Sequence, residues 1–558
     1  MFALVVSLVV TLVSVAYSGP VLDDILNHAA VDQSCLQRDK RLEVTQNSPI
    51  GQTFVTGPGT QQIFRITVSL DQSPEEWLSG EAVTLALWDS PAKNHRLAEF
   101  TLDNITVKNV IGENPFYLGA PAQPNTPYYF EITHNGKGDG KAFIYATSQD
   151  CYRRGHLIIG GSAQDGDLYF KVLVKRDVDH DLLMEDLFKQ FDLDAPGMEK
   201  VKRCVHARDW EGAIRETVAH FDAKPLSQWH ASKATPKKNP SAELRAAEKA
   251  LRHIVEVEGK EFFLGERVNW WADPLPGTPG PSERLCNWGL PRIMGYAYIN
   301  SGDERYARKA DEFYINWMLD NPPPVRSDID WYGVAYSGLQ IARKLGPNAW
   351  YFYGELMKSP SFRVDTRMAF IYFQTQFCEL LYQGIGTNGE GWGGNWGFQI
   401  YDALLENALE NPEYAGWRKW ADFAVGRLIA LSREALCADG VLNEAAPNYH
   451  AISARRLRRL LEWSEKKKLG VPADLRETLA RMYTFMAYLT QPDGRTPMFG
   501  DSDSESYCEE LQQVARLLGR ADLEYIATQG RKGKPPARAS VAFPVSGFYI
   551  MRSTYLEQ

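Results

Sequence analysis

Four side chains that can hold or move a proton lie within seven consecutive positions of this sequence. They are Glu444, Asn448, Tyr449 and His450, and four arginines follow at positions 455, 456, 458 and 459. Proton-carrying groups beside dense positive charge suit a cleft for an acidic substrate, because the local field matters more than the total charge. The polar first turn of an ordinary helix would contain the same residues. Both interpretations stay open from the residues alone.

Tyr449 is the residue of this stretch that could act as an acid or a base. A free phenol ionises near pH 10, so its phenolate costs about 4 kcal/mol at pH 7. Nearby arginines would lower that cost, and Arg455 and Arg459 lie one turn apart on one helical face. We expect these arginines either to bind substrate or to form a solvated face. His450 is expected to orient Tyr449 or to fill the helix start, and Glu444 to make supporting or capping contacts.

Three other stretches contain residues of the same kind: NWW from position 269, GGNWGF from 393 and PMFGDSD from 497. In GGNWGF, Asn395 could donate a hydrogen bond to an anion or cap the following helix, and the aromatic Trp396 follows it. Trp270 is a candidate substrate-binding aromatic. FGDSD is predicted to be a turn in which Asp501 accepts hydrogen bonds from backbone donors and supports the cleft wall.

Two motifs resemble ligand-binding sequences but do not predict a binding site. GIGTNG from position 384 matches GxGxxG, but it follows a helical pattern rather than a strand, so it does not predict dinucleotide binding. DSDSES from position 501 resembles the start of a calcium loop, but Ser506 stands where glycine is needed. The sequence therefore predicts no metal site and no required cofactor within this chain.

Two kinds of element must position these residues. Alternating apolar residues predict strands between residues 30 and 177, as in QIFRITVSL (Phe64, Ile66, Val68, Leu70) and DLYFKVLVK (Leu168, Phe170, Val172, Val174). This region is predicted to be a jelly-roll-like β-sandwich, with carbohydrate binding or spacing as its role. From 182 to about 535 the apolar period becomes helical, as in GDERYARKADEFYINWM with Asp303 as its N-cap. Residues 540–558 return to strand character, which predicts the first strand of a C-terminal sandwich that continues beyond this sequence.

Composition narrows the class of protein. The chain has 558 residues and a net charge of −9, which argues against nucleic acid as a partner. Residues 1–18 read as a secretory signal, and no other stretch is long enough to span a bilayer, so we expect a secreted or periplasmic protein without a membrane anchor after cleavage. Of the seven cysteines, Cys35 and Cys151 are the expected disulfide pair, and the other five are expected to be buried thiols.

The four stretches, their order and their spacing resemble the heparinase II/III-like polysaccharide lyases, closest to the heparinase III type. The resemblance extends through SGDERYARKADEFY and YIATQGRKGKPP to SGFYIMRS and covers roughly residues 182–558. It implies an (α/α) toroid, a following antiparallel β-sandwich, and β-elimination at a uronic acid. Asn395 matches the neutralising asparagine of the family and Tyr449 its catalytic tyrosine.

Two departures from the family pattern stand out. Asn395 is followed by Trp396 where many relatives have histidine. The family also draws a histidine, and in some members metal ligands, from the C-terminal sandwich, so a divalent metal would belong to that domain. The resemblance implies an acidic polysaccharide as partner, heparan-sulfate-like or alginate-like. The alternatives are a glycoside hydrolase with Glu444 and Asp501 as acid and base, and a glycan-binding protein without catalysis.

Overall fold

The structure is a computed structural model that describes residues 20–27, 30–70, 82–103, 113–135, 141–224, 240–265, 268, 270, 281–323, 336–356, 359–384 and 391–553. The predicted signal peptide lies outside these residues. No helix in the described ranges has the length and apolar character needed to cross a membrane. The protein is of mixed helix and sheet composition, with strands first and helices after them.

The first part of the chain, after the short helix α1 (Pro20–Leu26), consists of strands. Their bounds are β1 Ala30–Cys35, β2 Lys40–Val44, β3 Ile50–Val55, β4 Thr60–Ser69, β5 Ala82–Trp88, β6 Arg96–Asp103, β7 Glu113–Pro121, β8 Pro127–His134, β9 Ala142–Thr147, β10 Leu157–Ile159, β11 Ser162–Gln164, β12 Asp167–Leu168 and β13 Phe170–Arg176. They form a four-stranded sheet (β1-β13-β4-β7), a six-stranded sheet (β11-β10-β3-β8-β5-β6) and a three-stranded sheet (β12-β9-β2), all paired antiparallel.

One hydrophobic core takes side chains from all three sheets. Val172 of the four-stranded sheet, Phe130 of the six-stranded sheet and Ile144 of the three-stranded sheet are each fully buried in it. The alternation predicted for residues 168–174 is confirmed, because Leu168, Phe170, Val172 and Val174 all enter this core.

The alternation predicted along β4 is interrupted at one residue. The pairing of β4 with β7 shifts between Ile63 and Arg65, and a bulge of this kind moves the next side chain to the other face. Phe64 consequently packs with Tyr117 and Leu173 in a separate small cluster, while Ile66 and Val68 stay in the main core.

Cys35 and Cys151 form a disulfide, as predicted, with their Cα atoms 5.8 Å apart. The remaining five cysteines are free thiols. Cys286 and Cys378 are buried as expected, but Cys204, Cys437 and Cys508 are only half-buried, so for these three the prediction of burial was wrong.

Helices dominate the rest of the chain. Their bounds are α2 His180–Phe188, α3 Glu199–His206, α4 Trp210–Asp222, α5 Pro240–Ala250, α6 Pro281–Cys286, α7 Gly289–Ser301, α8 Glu304–Asp320, α9 Gly338–Leu345, α10 Pro347–Leu356, α11 Val364–Tyr382, α12 Gly394–Glu410, α13 Trp417–Glu434, α14 Pro447–Lys467, α15 Leu475–Leu489, α16 Cys508–Leu518 and α17 Ala521–Ala527. A hairpin of β14 (Ile254–Val257) and β15 (Lys260–Phe263) interrupts them. In α8 the predicted N-cap is confirmed, since the Asp303 side chain accepts from the Arg305 amide at 2.9 Å.

The end of the described chain is a hairpin of two short strands, β16 (Val541–Phe543) and β17 (Phe548–Ile550), where the sequence predicts one strand. Its two phenylalanines pack on Phe485 of α15, with ring centroids 5.1 and 5.0 Å away. Buried aromatic contact of this kind anchors a hairpin that would be marginal alone.

The chain forms two compact units. The first comprises Met1–Asp328 with Pro347–Phe373, and the second Ile329–Gly346 with Gln374–Gln558. In this division the strands and the first helices share a unit, and Arg65 of β4 donates to the Asp320 carbonyl at 3.0 Å. The sequence-based domain boundaries remain predictions. The second unit contains Asn395, Glu444, Tyr449 and Asp501.

Candidate functional site

Asn395 is held at the first turn of α12 by Glu444. One carboxylate oxygen of Glu444 accepts from the Asn395 backbone amide at 2.6 Å, and the other accepts from its side-chain Nδ2. The Asn395 Oδ1 in turn accepts from Gln399 Nε2 at 3.1 Å. The first amides of a helix have no partner within it, so Glu444 caps α12 from outside. The expected capping role of Glu444 is therefore what the contacts show.

The fit between Glu444 and α12 requires Gly394. This residue has a φ of +54°, and a Cβ atom at its position would lie 2.4 Å from Glu444 Oε1. Any other residue would push the carboxylate away from the Asn395 amide. Ala445, directly after Glu444, also has a positive φ of 55°, which is strained for a residue with a Cβ.

Tyr449 is the third residue of α14, and its hydroxyl donates a hydrogen bond to the Asp501 carboxylate. This hydrogen bond, partial burial, and the negative charges of Asp501 and Glu444 raise the pKa of Tyr449 to about 12. The expectation that arginines lower this pKa is therefore wrong, because carboxylates surround the phenol instead. Asp501 was also expected to accept from backbone donors. In the structure Ser502 accepts from the backbone instead, because its Oγ accepts a hydrogen bond from the Asn448 backbone amide at 3.0 Å.

His450 has no contact with Tyr449 through either ring nitrogen. Its Nδ1 accepts from the Leu442 amide at 3.1 Å, and its Nε2 lies 3.0 Å from the Met482 carbonyl, to which it donates. The ring is buried and packs on Phe485 at 4.9 Å between centroids. Burial lowers the pKa of His450 to about 4, so the imidazole is neutral at pH 7. Of the two expected roles, filling the helix start is the one the contacts support.

The arginines of α14 pair with carboxylates. Arg459 forms ion pairs with Asp402 at 2.8 Å and with Glu406 at 2.6 Å, and all three side chains are at most 3% exposed. Arg455 binds Glu510 at 2.6 Å. Arg456 joins the same Asp402 at 2.8 Å. Arg459 is therefore part of a buried ion-pair cluster and does not lie on a solvated face. The prediction that it contacts substrate is wrong.

The contacts of Glu444 and Arg459 explain why Asn395 and Tyr449 lie at adjacent ends of two helices. Glu444, just before α14, contacts the start of α12, and Arg459 further along α14 contacts Asp402 and Glu406 further along α12. The two helices therefore run in the same direction with their N-termini together. Helix N-termini carry partial positive charge and favour anions. Asn395 and Tyr449 each lie in the first turn of one of these helices.

The two predicted tryptophans have different environments. Trp396 is 44% exposed and its ring lies 5.6 Å from that of Trp392, so it presents an aromatic surface beside Asn395. Trp270 is fully buried and packs edge-on against Phe313 at 5.9 Å, within the first unit. The prediction that Trp270 binds substrate is therefore wrong, because its ring belongs to the core. Asn269 and Trp271, its neighbours in the NWW motif, lie outside the described residues.

Sequence reasoning missed Gln399, Asp402 and Glu406. The sequence does contain a signal for Asp402 and Glu406. They are four residues apart on an apolar helix, so both carboxylates lie on one face that is expected to be buried. Such a pair requires a buried cation, although the sequence does not indicate which arginine supplies it. Gln399 carries no comparable signal, since one glutamine on a helix has many possible partners.

A metal site can be tested against one group of donors in the described ranges. Cys35, Cys151 and Asp167 have ligand atoms within 4.8 Å of one another. The two cysteines are disulfide-bonded, and Asp167 accepts from the amides of Cys151 and Tyr152 and from Gln52 Nε2, at 2.9, 2.8 and 2.7 Å. These donors are already in use, so the group does not fit a metal ion.

The site is thus a pair of helix N-termini that brings together an amide and a phenol, on a helical part of the chain. Residues 187–525 match the family described as Heparinase II/III N-terminus, and the chain belongs to that family. The resemblance inferred from the sequence is confirmed.

Individual relatives agree with the family assignment. A heparin-sulfate lyase of Pedobacter heparinus is 25% identical over 392 residues, which cover 66% of this chain and 56% of the relative. A heparin-sulfate lyase of Bacteroides stercoris is 24% identical over 407 residues, covering 67% and 58%. The chain thus spans less than two thirds of the length of these relatives.

Solved structures show the same fold over a similar part of the chain. The crystal structure of a heparinase III gives a TM-score of 0.57 at 20% identity and covers 66% of this chain and 60% of that one. The heparan sulfate lyase structure from Pedobacter heparinus gives 0.52 at 23% identity, covering 66% and 59%. At these identities the likeness concerns the fold.

Proposed function

We propose that this protein is a polysaccharide lyase that cleaves a uronic-acid-containing acidic polysaccharide, heparan-sulfate-like or alginate-like, by β-elimination. The observation that carries the proposal is the position of Glu444. Its carboxylate binds Asn395, and its charge contributes to the raised pKa of Tyr449. Glu444 therefore binds the amide and acts electrostatically on the phenol, and family relatives named heparin-sulfate lyases support the same reaction.

Asn395 is proposed to neutralise the C5 carboxylate of the uronic acid. An amide NH₂ has two hydrogens, and Glu444 occupies one while Gln399 fixes the oxygen end. The second N–H is then oriented before substrate arrives. As the C5 proton leaves, negative charge builds on the carboxylate, and a fixed donor together with two helix N-termini stabilises it.

Tyr449 is proposed to protonate O4, the leaving oxygen. Its raised pKa keeps the phenol protonated over the whole neutral range. Where the C5 hydrogen and O4 lie on the same face of the sugar, Tyr449 also takes that hydrogen while its own proton moves to Asp501. The phenol then gives the hydrogen from C5 to O4, the C4–O4 bond breaks, and Asp501 returns its proton to the phenolate.

The hydrolase alternative is less well supported by the same contacts. It would need Glu444 and Asp501 as a free acid and base. Both Glu444 oxygens accept from Asn395, and Asp501 accepts from Tyr449. A non-catalytic glycan-binding protein would bind the polymer without any product, which turnover measurements separate from the lyase.

The architecture and location belong to the same proposal. We infer that the helices between 182 and 535 close into an (α/α) toroid and that residues 30–177 form a β-sandwich with a spacer or carbohydrate-binding role. The common core of the three sheets supports the sandwich. We also infer a secreted or periplasmic protein, since residues 1–18 read as a signal peptide and a disulfide joins Cys35 and Cys151.

Two substitutions test the proposed chemistry. Asn395→Ala removes a donor to the developing charge and should lower turnover about 10²–10³-fold while retaining much of the binding. Tyr449→Phe keeps the ring and removes the proton, so it should lose at least as much activity at nearly unchanged stability. The rate is followed by the ultraviolet absorbance of the conjugated double bond that elimination leaves.

Tyr507→Phe is the matched control, because it removes another phenol hydroxyl next to the same segment. The Tyr507 hydroxyl lies 2.8 Å from the side-chain amide of Asn448 and has no role in the proposed reaction. This variant should keep most of the turnover. Full turnover by Tyr449→Phe, or its loss together with the fold, would show that Tyr449 is structural.

A further inference from the structure

Arg427 of α13 stands apart from the other arginines described above. Its side chain is 25% exposed, and its Nε, like those of Arg456 and Arg459, is buried without a hydrogen-bond partner in the described part of the chain. Its ion pair with Glu434 is long, at 3.8 Å, and Glu434 itself is 59% exposed. A guanidinium that is three quarters buried usually has a carboxylate at hydrogen-bond distance. Arg427 has none.

The position of Arg427 places it beside the segment that leads to Asn395. A Cβ atom on Gly391 would lie 3.4 Å from Arg427 Nε and 2.6 Å from the Tyr401 hydroxyl. The guanidinium lies over the Tyr401 ring, 5.6 Å from its centroid, and that hydroxyl accepts from the Trp392 amide at 2.7 Å. The glycine, with its φ of +87°, allows the backbone to pass this close to the cation.

An aromatic surface continues from this point. The ring of Trp392 lies 5.6 Å from that of Trp396, which is 44% exposed and adjoins Asn395 in the chain. A cation with no close carboxylate among the described residues thus lies beside Gly391, four residues before Asn395, and an exposed aromatic ring directly follows Asn395 in the chain. This pair of features matches an anionic sugar, since rings stack on apolar sugar faces and arginine binds sulfate or carboxylate with two parallel hydrogen bonds.

We propose that Arg427, with Trp392 and Trp396, forms a subsite for an anionic group on a sugar next to the cleaved linkage. This inference rests on the proposed function, because Asn395 defines which sugar is cleaved. The ligand chemistry is a planar or tetrahedral oxyanion, either a sulfate or the carboxylate of a neighbouring uronic acid. Arg427 acts on binding and has no part in proton transfer.

The test compares Arg427→Gln with the parent protein on heparan sulfate and on heparan sulfate that has been chemically desulfated, which keeps its carboxylates. Loss of one charge-assisted pair should raise KM and Kd about 10- to 100-fold. The turnover at saturating substrate should change less than about twofold, because the contact is the same in the ground and transition states. Arg427→Lys keeps the charge without the paired donors and should fall between the two.

Arg433→Gln is the matched control, since Arg433 lies on the same helix, is 62% exposed and meets Asp474 only at 4.0 Å. It should leave both constants unchanged. A loss confined to the sulfated polymer identifies sulfate as the ligand, and an equal loss on both polymers identifies the carboxylate. Unchanged KM and Kd on both polymers, with the thermal unfolding midpoint intact, would overturn the subsite. Kd is measured by calorimetry, so the subsite can be decided even if no polymer is cleaved.

Discussion

Asn395 and Tyr449 are restrained to different degrees. The amide of Asn395 is fixed at both ends by Glu444 and Gln399. Among the described residues the Tyr449 hydroxyl has one hydrogen-bond partner, Asp501, on an exposed turn. A group that only donates to a charge benefits from rigidity, whereas a group that must pass a proton to substrate has to exchange its partner. The two environments fit the two proposed roles.

Asp501 sets the ionisation of Tyr449, and this can be tested directly. Its hydrogen bond is the largest cause of the raised pKa, so Asp501→Asn should move the Tyr449 pKa from about 12 down towards the ordinary value near 10. The alkaline limb of the pH–rate profile should move to lower pH with it. The phenolate is measured by ultraviolet titration, as the difference between each protein and its Tyr449→Phe counterpart.

Asp503→Asn provides the comparison, because Asp503 is an exposed aspartate in the same loop. It should leave the Tyr449 titration where it is. An unchanged Tyr449 midpoint in Asp501→Asn would mean that burial controls the pKa and that the hydrogen bond does not.

At the scale of elements, the periodicity of apolar residues predicted the features that depend on residues close together in the sequence. The helix of residues 304–320, its Asp303 cap and the core face of residues 168–174 are local patterns and are confirmed. The partners of the arginines could not be read in this way, because Asp402 and Glu406 are more than fifty positions from Arg459. The burial of Trp270 and the bulge beside Phe64 likewise depend on which distant residue packs against them.

The ion pairs of Arg459 hold α12 and α14 in register, which makes Arg459 a positioning residue for the site. Arg459→Ala would leave Asp402 and Glu406 buried with less compensating charge, at a cost of about 3–5 kcal/mol in the free energy of unfolding. We expect a lower urea midpoint at an unchanged slope. The exposed Arg433→Ala should cost less than about 1 kcal/mol. Equal effects of the two substitutions would show that the buried pairs do not hold the helices together.

At the scale of the whole molecule, the two compact units differ in covalent cross-linking. The first has the disulfide between Cys35 and Cys151, which closes a loop with a sequence separation of 116. The second contains the proposed site and is held by buried ion pairs and by aromatic packing such as that around Phe485. A cross-link restricts only the unfolded chain that it joins. Reduction should therefore act on the first unit alone.

Replacing Cys35 and Cys151 by serine should lower the free energy of unfolding of the first unit by about 5 kcal/mol, because the cross-link removes about that much chain entropy from an unfolded loop of this length. Hydrogen exchange can resolve this by region, because local protection reports local stability. We expect faster exchange in β1 and β13, which pair along Cys35, and unchanged exchange in α12 and α14.

Cys204→Ser, which removes a free thiol of the same unit, controls for loss of sulfur alone. Faster exchange in α12 and α14 would show that the site depends on the disulfide, and unchanged exchange in β1 and β13 would show that the sheets do not need it.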